Sequence, residues 1–209
     1  MRRWFAMLLL AAGLAQAPAT LAASSDEALA GVRVRIEQPD VLRGRFEQEK
    51  QLKGFRNPLR SAGTMLLVRE RGIAWDTTEP FASSAVLTRE KLTSELPDGS
   101  RQVLLDAADG PAAGATAGLL MALVAGDLDA LAERFEIEET LLDDGAWQLE
   151  LRPREPALQR VFARFELAGD RYVREVLIEE AGGDTTRVRL LDLSSEPAQP
   201  SPAEVARFD

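Results

Sequence analysis

Cysteine and histidine are both missing from the 209-residue sequence. Without cysteine there are no disulfides, so the fold must rest on its apolar core. Without either residue the usual zinc sites, the serine–histidine–aspartate triad and cysteine nucleophiles are unavailable, which removes most hydrolase readings. Positive charge is in short supply: 25 Lys and Arg against 34 Asp and Glu leave a formal charge of −9. That balance argues against nucleic acid, or an anionic lipid surface, as the main partner, because both select Lys/Arg patches. No Gly/Ser-rich or Pro-rich linker interrupts the middle of the chain, so one domain is expected.

Long apolar runs are nearly absent too. At the N terminus, Arg2 and Arg3 precede an apolar stretch from Trp4 to Ala15, followed by small residues with Thr20 and Ala22 placed for cleavage after Ala22. The stretch is shorter than the ~20 residues a spanning helix needs. It reads as a cleaved secretory signal peptide over residues 1–22, leaving a single domain over 23–209. Losing Arg2 and Arg3 takes the formal charge from −9 to −11.

What is present is mostly strand. Ser24 or Ser25 is placed to cap a first helix that carries Leu29, Val32 and Ile36 at helical spacing and ends near Pro39. Val41 to Lys53 reads as an amphipathic strand, and LKGFRNPLRSAG supplies turn residues. GTMLLVRERGIAWDTTEPF then forms a hairpin in which Met65, Leu67 and Arg69 alternate onto one face, with Ile73, Trp75 and Thr77 on one side of the return strand. Further short runs, bounded by turn signals, bring the count to about ten strands.

One segment breaks the rhythm. Pro111 to Val124 is rich in Ala, Leu and Gly and apolar nearly all round, with Leu120, Leu123 and Val124 on one helical stripe and Asp127 placed to cap a second helix. Such a helix must lie against apolar surface, either the sheet or a ligand. Fold class is therefore mainly β with helices (α+β): a sandwich, or a strongly curved antiparallel sheet or half-open barrel covered by the N-terminal helix and a mid-chain helical lid. The second uses the apolar helix more directly. The Pro-rich tail SSEPAQPSPAEVARFD is expected to be an extended edge segment with little packing.

Carboxylates are the remaining catalytic material. Asp143/Asp144, Glu138/Glu139 and Glu179/Glu180 are sequence neighbours, so on a strand the members of each pair point to opposite faces and cannot share a proton. No enzyme activity, metal or cofactor is expected. Arg69 has two readings, a strand-end arginine that snorkels outward or an inward guanidinium bonded to carbonyls of a covering helix or loop. Trp75 is either core or ligand-facing.

Several of these residues carry a resemblance. Phe46-Glu-Gln48 behind the first helix, Gly63-Thr-Met-Leu-Leu-Val-Arg69, Gly72-Ile-Ala-Trp75 and Glu79-Pro80-Phe81 are similar, in order and spacing, to the F-x-Q, G-x-L-x-V-x-R-P, F-x-W and P pattern of LolA-type outer-membrane lipoprotein carrier proteins. The resemblance implies a half-open barrel whose interior shelters acyl chains in the periplasm. It further implies an inner-membrane ATP-driven transporter that supplies the cargo and an outer-membrane acceptor that takes it. The family's cavity arginine, which bonds the helical lid, falls on Arg69, and its return-strand aromatic on Trp75. Glu70 stands where the family has proline, and the sequence ends at ARFD where typical members continue through another strand. These departures widen the expected cargo from a lipoprotein to other acylated molecules such as a glycolipid. Alternation and helix stripe give the expected lining as Met65, Leu67, Ile73, Trp75, Leu120, Leu123 and Val124, with Arg69 beside them. A monomer is expected. The alternative from another class is a structural or adaptor module whose interior is packed core.

Overall fold

The computed structural model describes residues 29–209 apart from 97 and 110, and no side chain of 111–116. The expected signal peptide and the Ser24 or Ser25 cap lie outside the described residues. Eleven strands form one antiparallel sheet: β1 Val41–Gln51, β2 Leu59–Val68, β3 Gly72–Glu79, β4 Ser83–Leu87, β5 Lys91–Glu95, β6 Arg101–Asp106, β7 Phe135–Leu141, β8 Trp147–Pro153, β9 Phe162–Gly169, β10 Val173–Glu180 and β11 Thr185–Ser194. Their spatial order is β6-β5-β4-β3-β2-β1-β11-β10-β9-β8-β7. All eleven share one sheet, so the single-sheet solution holds and the sandwich does not. Among the described residues the sheet stays open, with β6 and β7 as its edges.

This order explains the mid-chain helices. The two meanders meet at the β1–β11 pair, so β6 and β7, consecutive in sequence, lie at opposite edges of the sheet. The chain between them must cross its whole width. It does so through α2 Pro111–Ala125 and α3 Leu128–Arg134, numbered after a short α1 at Ala30–Arg33. Between α2 and α3, Gly126 takes φ +65, a left-handed value that favours glycine at a helix end. Asp127 caps α3 as its sequence position predicts, its carboxylate accepting from Ala130 N at 3.1 Å.

Alternation sends one side of each strand inward under this crossover. Leu119, Ala122 and Leu123 of α2 pack with Trp147, Leu149 and Leu151 of β8 and Phe165 and Leu167 of β9. Ala117, Leu120, Met121 and Val124 pack on the other meander, with Phe46, Met65, Leu67, Ile73 and Leu87. The sheet bends to let both halves reach one helix. Leu92 of β5 and Val176 of β10 line the same cavity, although a flat sheet would hold strands six positions apart at ~29 Å.

The C-terminal tail departs from expectation. It forms α5 Pro202–Val205 (α4 is Pro156–Gln159) and a following 3-10 turn, and docks on the outward face of the first meander. Val41, Leu66, Val68 and Ala74 point outward there, and Phe208 packs on them. Arg43 Nε and Nη2 donate to the Glu204 carboxylate at 2.6 and 3.0 Å, while Arg207 pairs with Asp76 at 2.6 Å and Arg71 with Asp209 at 3.0 Å. Proline content suggests an extended edge segment with little packing, but Pro202 occupies a first helical position, where its fixed φ suits the helix. Ser201 and Glu204 complete a reciprocal capping box around it.

That clasp sets a pH dependence. Hydrogen bonds from Arg43 and then from the Ser201 backbone pull the Glu204 carboxyl from 4.5 down to about 2. A folded value below the unfolded one stabilises the docked tail above pH ~4.5, and the contribution is lost as pH falls toward 2. Protection of the amides over Pro202–Asp209, taken as exchange relative to the intrinsic rate at each pH, is expected to fall in that window in the native protein. In Arg43→Gln protection should already be low at pH 7 and change little on acidification.

Candidate ligand-binding cavity

The inward side of the first meander is built around a missing side chain. Gly63 of β2 pairs with Phe46 of β1, and the space above it lets the Phe46 ring lie over onto Trp75 of β3, centroids 4.1 Å apart at 29°. This stack backs Trp75, which faces inward. Beside it a cavity of about 300 Å³ opens between the sheet and α2. Ile73 and Trp75 of β3, Ala85 and Leu87 of β4 and Leu92 of β5 line one side, Val176 and Ile178 of β10 with Thr186, Val188 and Leu190 of β11 the other, and Leu120, Leu123 and Val124 of α2 the roof. Among the described residues, Gln48 and Thr186 are the polar aliphatic side chains of the lining.

Five of the eight residues expected at a ligand site therefore come together here: Ile73, Trp75, Leu120, Leu123 and Val124. Met65 and Leu67 belong to the same apolar cluster, 3% and 1% exposed, but sit behind the lining rather than in it. The β10 and β11 contributions were not singled out from sequence, although inward alternation in VREVLIEE and TTRVRLLDL carries their signal. What hid them was distance along the chain, because only the β1–β11 pairing brings them opposite Trp75.

Arg69 lies outside the cavity lining, just beyond the end of β2. Its Nη1 donates to Gln38 Oε1 at 3.0 Å and its Nη2 to the Pro39 carbonyl at 3.2 Å. It thus bonds a loop carbonyl, but its partners are in the segment before β1 and not in the helix near Leu120. The link to α2 is indirect: Gln38 Nε2 donates to the carbonyl of Gly126, which ends that helix, at 3.0 Å.

The cavity wall is apolar. None of its lining residues is ionisable, and no cluster of potential metal ligands occurs among the described residues. The carboxylate neighbours separate as alternation requires: Glu179 meets Arg164 at 2.7 Å and Glu180 meets Lys50 at 2.8 Å, while Glu138 meets Arg152 and Glu139 accepts from Val32 N. A larger depression of about 650 Å³ on the outer face is walled by Glu47, Glu49, Arg60, Glu79, Arg187 and Arg189. Those charged walls give an apolar ligand no refuge. Among the described residues no helix is long and apolar enough to cross a membrane.

Comparison with known proteins agrees with the geometry. Residues 37–203 match the family model described as outer membrane lipoprotein carrier protein LolA. Among solved structures, the chain is similar to a LolA-superfamily protein of Nitrosomonas europaea, at 11% identity and TM-score 0.48, covering 90% of this chain and 98% of that one. It is also similar to a DUF1329-family protein of Desulfovibrio piger, at 11% identity and TM-score 0.47, covering 88% and 97%. A third similarity is to the MucA/MucB complex structure of Pseudomonas aeruginosa, at 17% identity and TM-score 0.41, covering 78% of this chain and 56% of that one. No curated protein matches the sequence.

Proposed function

The chain belongs to the LolA family of outer membrane lipoprotein carrier proteins, and from that premise we propose that it is a periplasmic carrier sheltering the acyl chains of a lipoprotein or other acylated lipid between the inner and outer membranes. The observation that carries this is the apolar cavity of about 300 Å³ under α2, with no ionisable group in its lining. Burying about ten methylenes there gains about 8 kcal/mol gross, at about 0.8 kcal/mol each, before the costs of association. Affinity of that kind needs no specific polar contact, so the carrier can accept cargo by chain rather than by headgroup.

The ligand site is then the five residues that line the cavity from the expected set together with the β10 and β11 side chains opposite them. Loading asks α2 to lift. Its C-terminal end is held through Gly126, Gln38 and Arg69 by hydrogen bonds that can open and reform without chemistry. The carrier acts as a monomer, with no enzymatic step, cofactor or nucleic acid, receiving cargo from an ATP-driven transporter of the inner membrane and yielding it to an outer-membrane acceptor.

Solvent extraction of protein purified from native periplasm, followed by mass spectrometry, tests this directly. An acylated species in stoichiometric amount is expected. Protein that is consistently empty, and that also fails to take up acylated cargo in vitro, would sink the proposal.

A further inference from the structure

The antiparallel order puts the β1–β2, β3–β4, β5–β6 and β10–β11 turns at one end of the sheet and the β2–β3 turn, with Arg69, at the other. The cavity lining reaches both ends: Ile73, Leu87 and Leu92 lie beside the β2–β3 and β4–β5 turns, and Gln48, Ile178 and Thr186 form its mouth at the first end, within a few residues of the turns there. Lys50 and Glu180, next along the same inward columns, pair at 2.8 Å across the mouth.

Large apolar side chains stand exposed around this mouth. Phe55 is 67% exposed, Leu59 60%, Phe81 80% and Leu96 50%. They come from three separate turns and do not form a groove. Leu59 continues the inward column of Gly63, Met65 and Leu67 into the rim. The β1–β2 hairpin extends past β3: Glu79, the last residue of β3, pairs with Ala62, leaving Leu59, Arg60 and Ser61 paired only with β1, ~10 Å of strand that runs beside the β10–β11 hairpin.

The tip of this hairpin is basic on an otherwise acidic chain. Lys53, Arg56 and Arg60 flank Phe55 and Leu59, and all five are exposed. Arg60 pairs with Glu49 at 3.0 Å. The Asp184 carboxylate accepts from the Lys53 backbone N–H at 2.8 Å, and no ion pair of the Lys53 or Arg56 side chain occurs among the described residues. At physiological ionic strength charges are screened over ~8 Å. The tip therefore presents the Lys53 and Arg56 cations to a surface, while Asp184 beside Lys53 and Glu79 and Asp98 on the neighbouring turns confine that positive charge to the hairpin.

We propose that this rim, led by the β1–β2 hairpin, docks the cavity mouth on the surface of an anionic phospholipid bilayer. An aromatic ring flanked by unpaired cations suits the zone where headgroups meet acyl chains, since the ring enters the interface and the cations meet phosphate. A single protein partner would be better met by one contiguous apolar patch than by side chains spread over three turns. The overall acidity argues against general adhesion to such a surface and so favours approach by the tip.

Co-sedimentation of the protein, purified from a periplasmic extract, with vesicles of phosphatidylglycerol and phosphatidylethanolamine tests this. Binding is expected that weakens with added salt and is absent on phosphatidylcholine alone. Lys53→Gln and Arg56→Gln should each weaken it about fivefold, and Phe55→Ser roughly tenfold. Phe55→Trp should bind like the native protein and show blue-shifted emission on the anionic vesicles. Absence of binding by the native protein, unchanged binding in the three weakening variants, or unshifted emission from Trp at 55 would overturn the proposal. So would binding confined to native membrane vesicles and abolished by protease treatment of those vesicles, which would assign the rim to a protein partner. The docking is independent of what the cavity holds. Failed vesicle binding leaves the extraction result standing, and an empty cavity leaves docking intact.

Discussion

In chemical denaturation, Gly63→Ala is expected to lose about 3 kcal/mol of stability, a large effect for the addition of one methyl group. A β carbon at this position would lie 1.8 Å from the Asp76 carbonyl oxygen and 2.9 Å from Phe46 Cε1. The first contact is with backbone of the neighbouring strand, which cannot swing aside as a flexible side chain would. Relief requires β2 and β3 to part where they hold Trp75. Because Phe46 lies over Gly63 to reach Trp75, the same variant should change the fluorescence of Trp75 in the native state. A loss below 1 kcal/mol with unchanged emission would show that the strands yield easily and that the glycine is not required there.

Gly63 also marks where sequence reasoning reaches and where it stops. Alternation in GTMLLVRERGIAWDTTEPF shows the hairpin and its inward column, because a strand's side-chain period is local and survives any tertiary context. The helical crossover is legible for a similar reason, since an apolar helix amid short strands must lie on something apolar. Sheet order is not local. No residue in β1 announces that its second neighbour is β11, so Val176, Ile178, Thr186, Val188 and Leu190 escape a reading that follows the chain, although they line one side of the cavity. Arg69 fails differently. Its alternation places it on the inward column, but β2 ends at Val68 and the arginine follows the turn outward to Gln38 and Pro39. The tail fails by composition, with prolines taken as a sign of an extended segment where Pro202 starts a capped helical turn.

Ala85→Phe should separate a carrier from a module with a packed interior. Ala85 lines the cavity opposite Trp75 in the β3–β4 register and is the smallest side chain there. A ring at this position grows into empty space instead of into neighbours. Filling that space buries apolar surface, so stability is expected to hold or rise. Cargo affinity should fall: a ring that displaces about three methylenes removes about 2.4 kcal/mol, or roughly fiftyfold. In a module whose interior serves only packing, the first effect would appear without the second. Ile178→Asp gives the converse test near the mouth, where a carboxylate can stay hydrated while the cavity is empty but must lose that water when an acyl chain enters. Its stability cost should be modest and its loss of acylated cargo at least as large as that of Ala85→Phe. Both variants retaining native cargo content on extraction would remove the cavity as the place where cargo is held, because no acyl chain could share that volume with a new ring in one protein and a hydrated charge in the other.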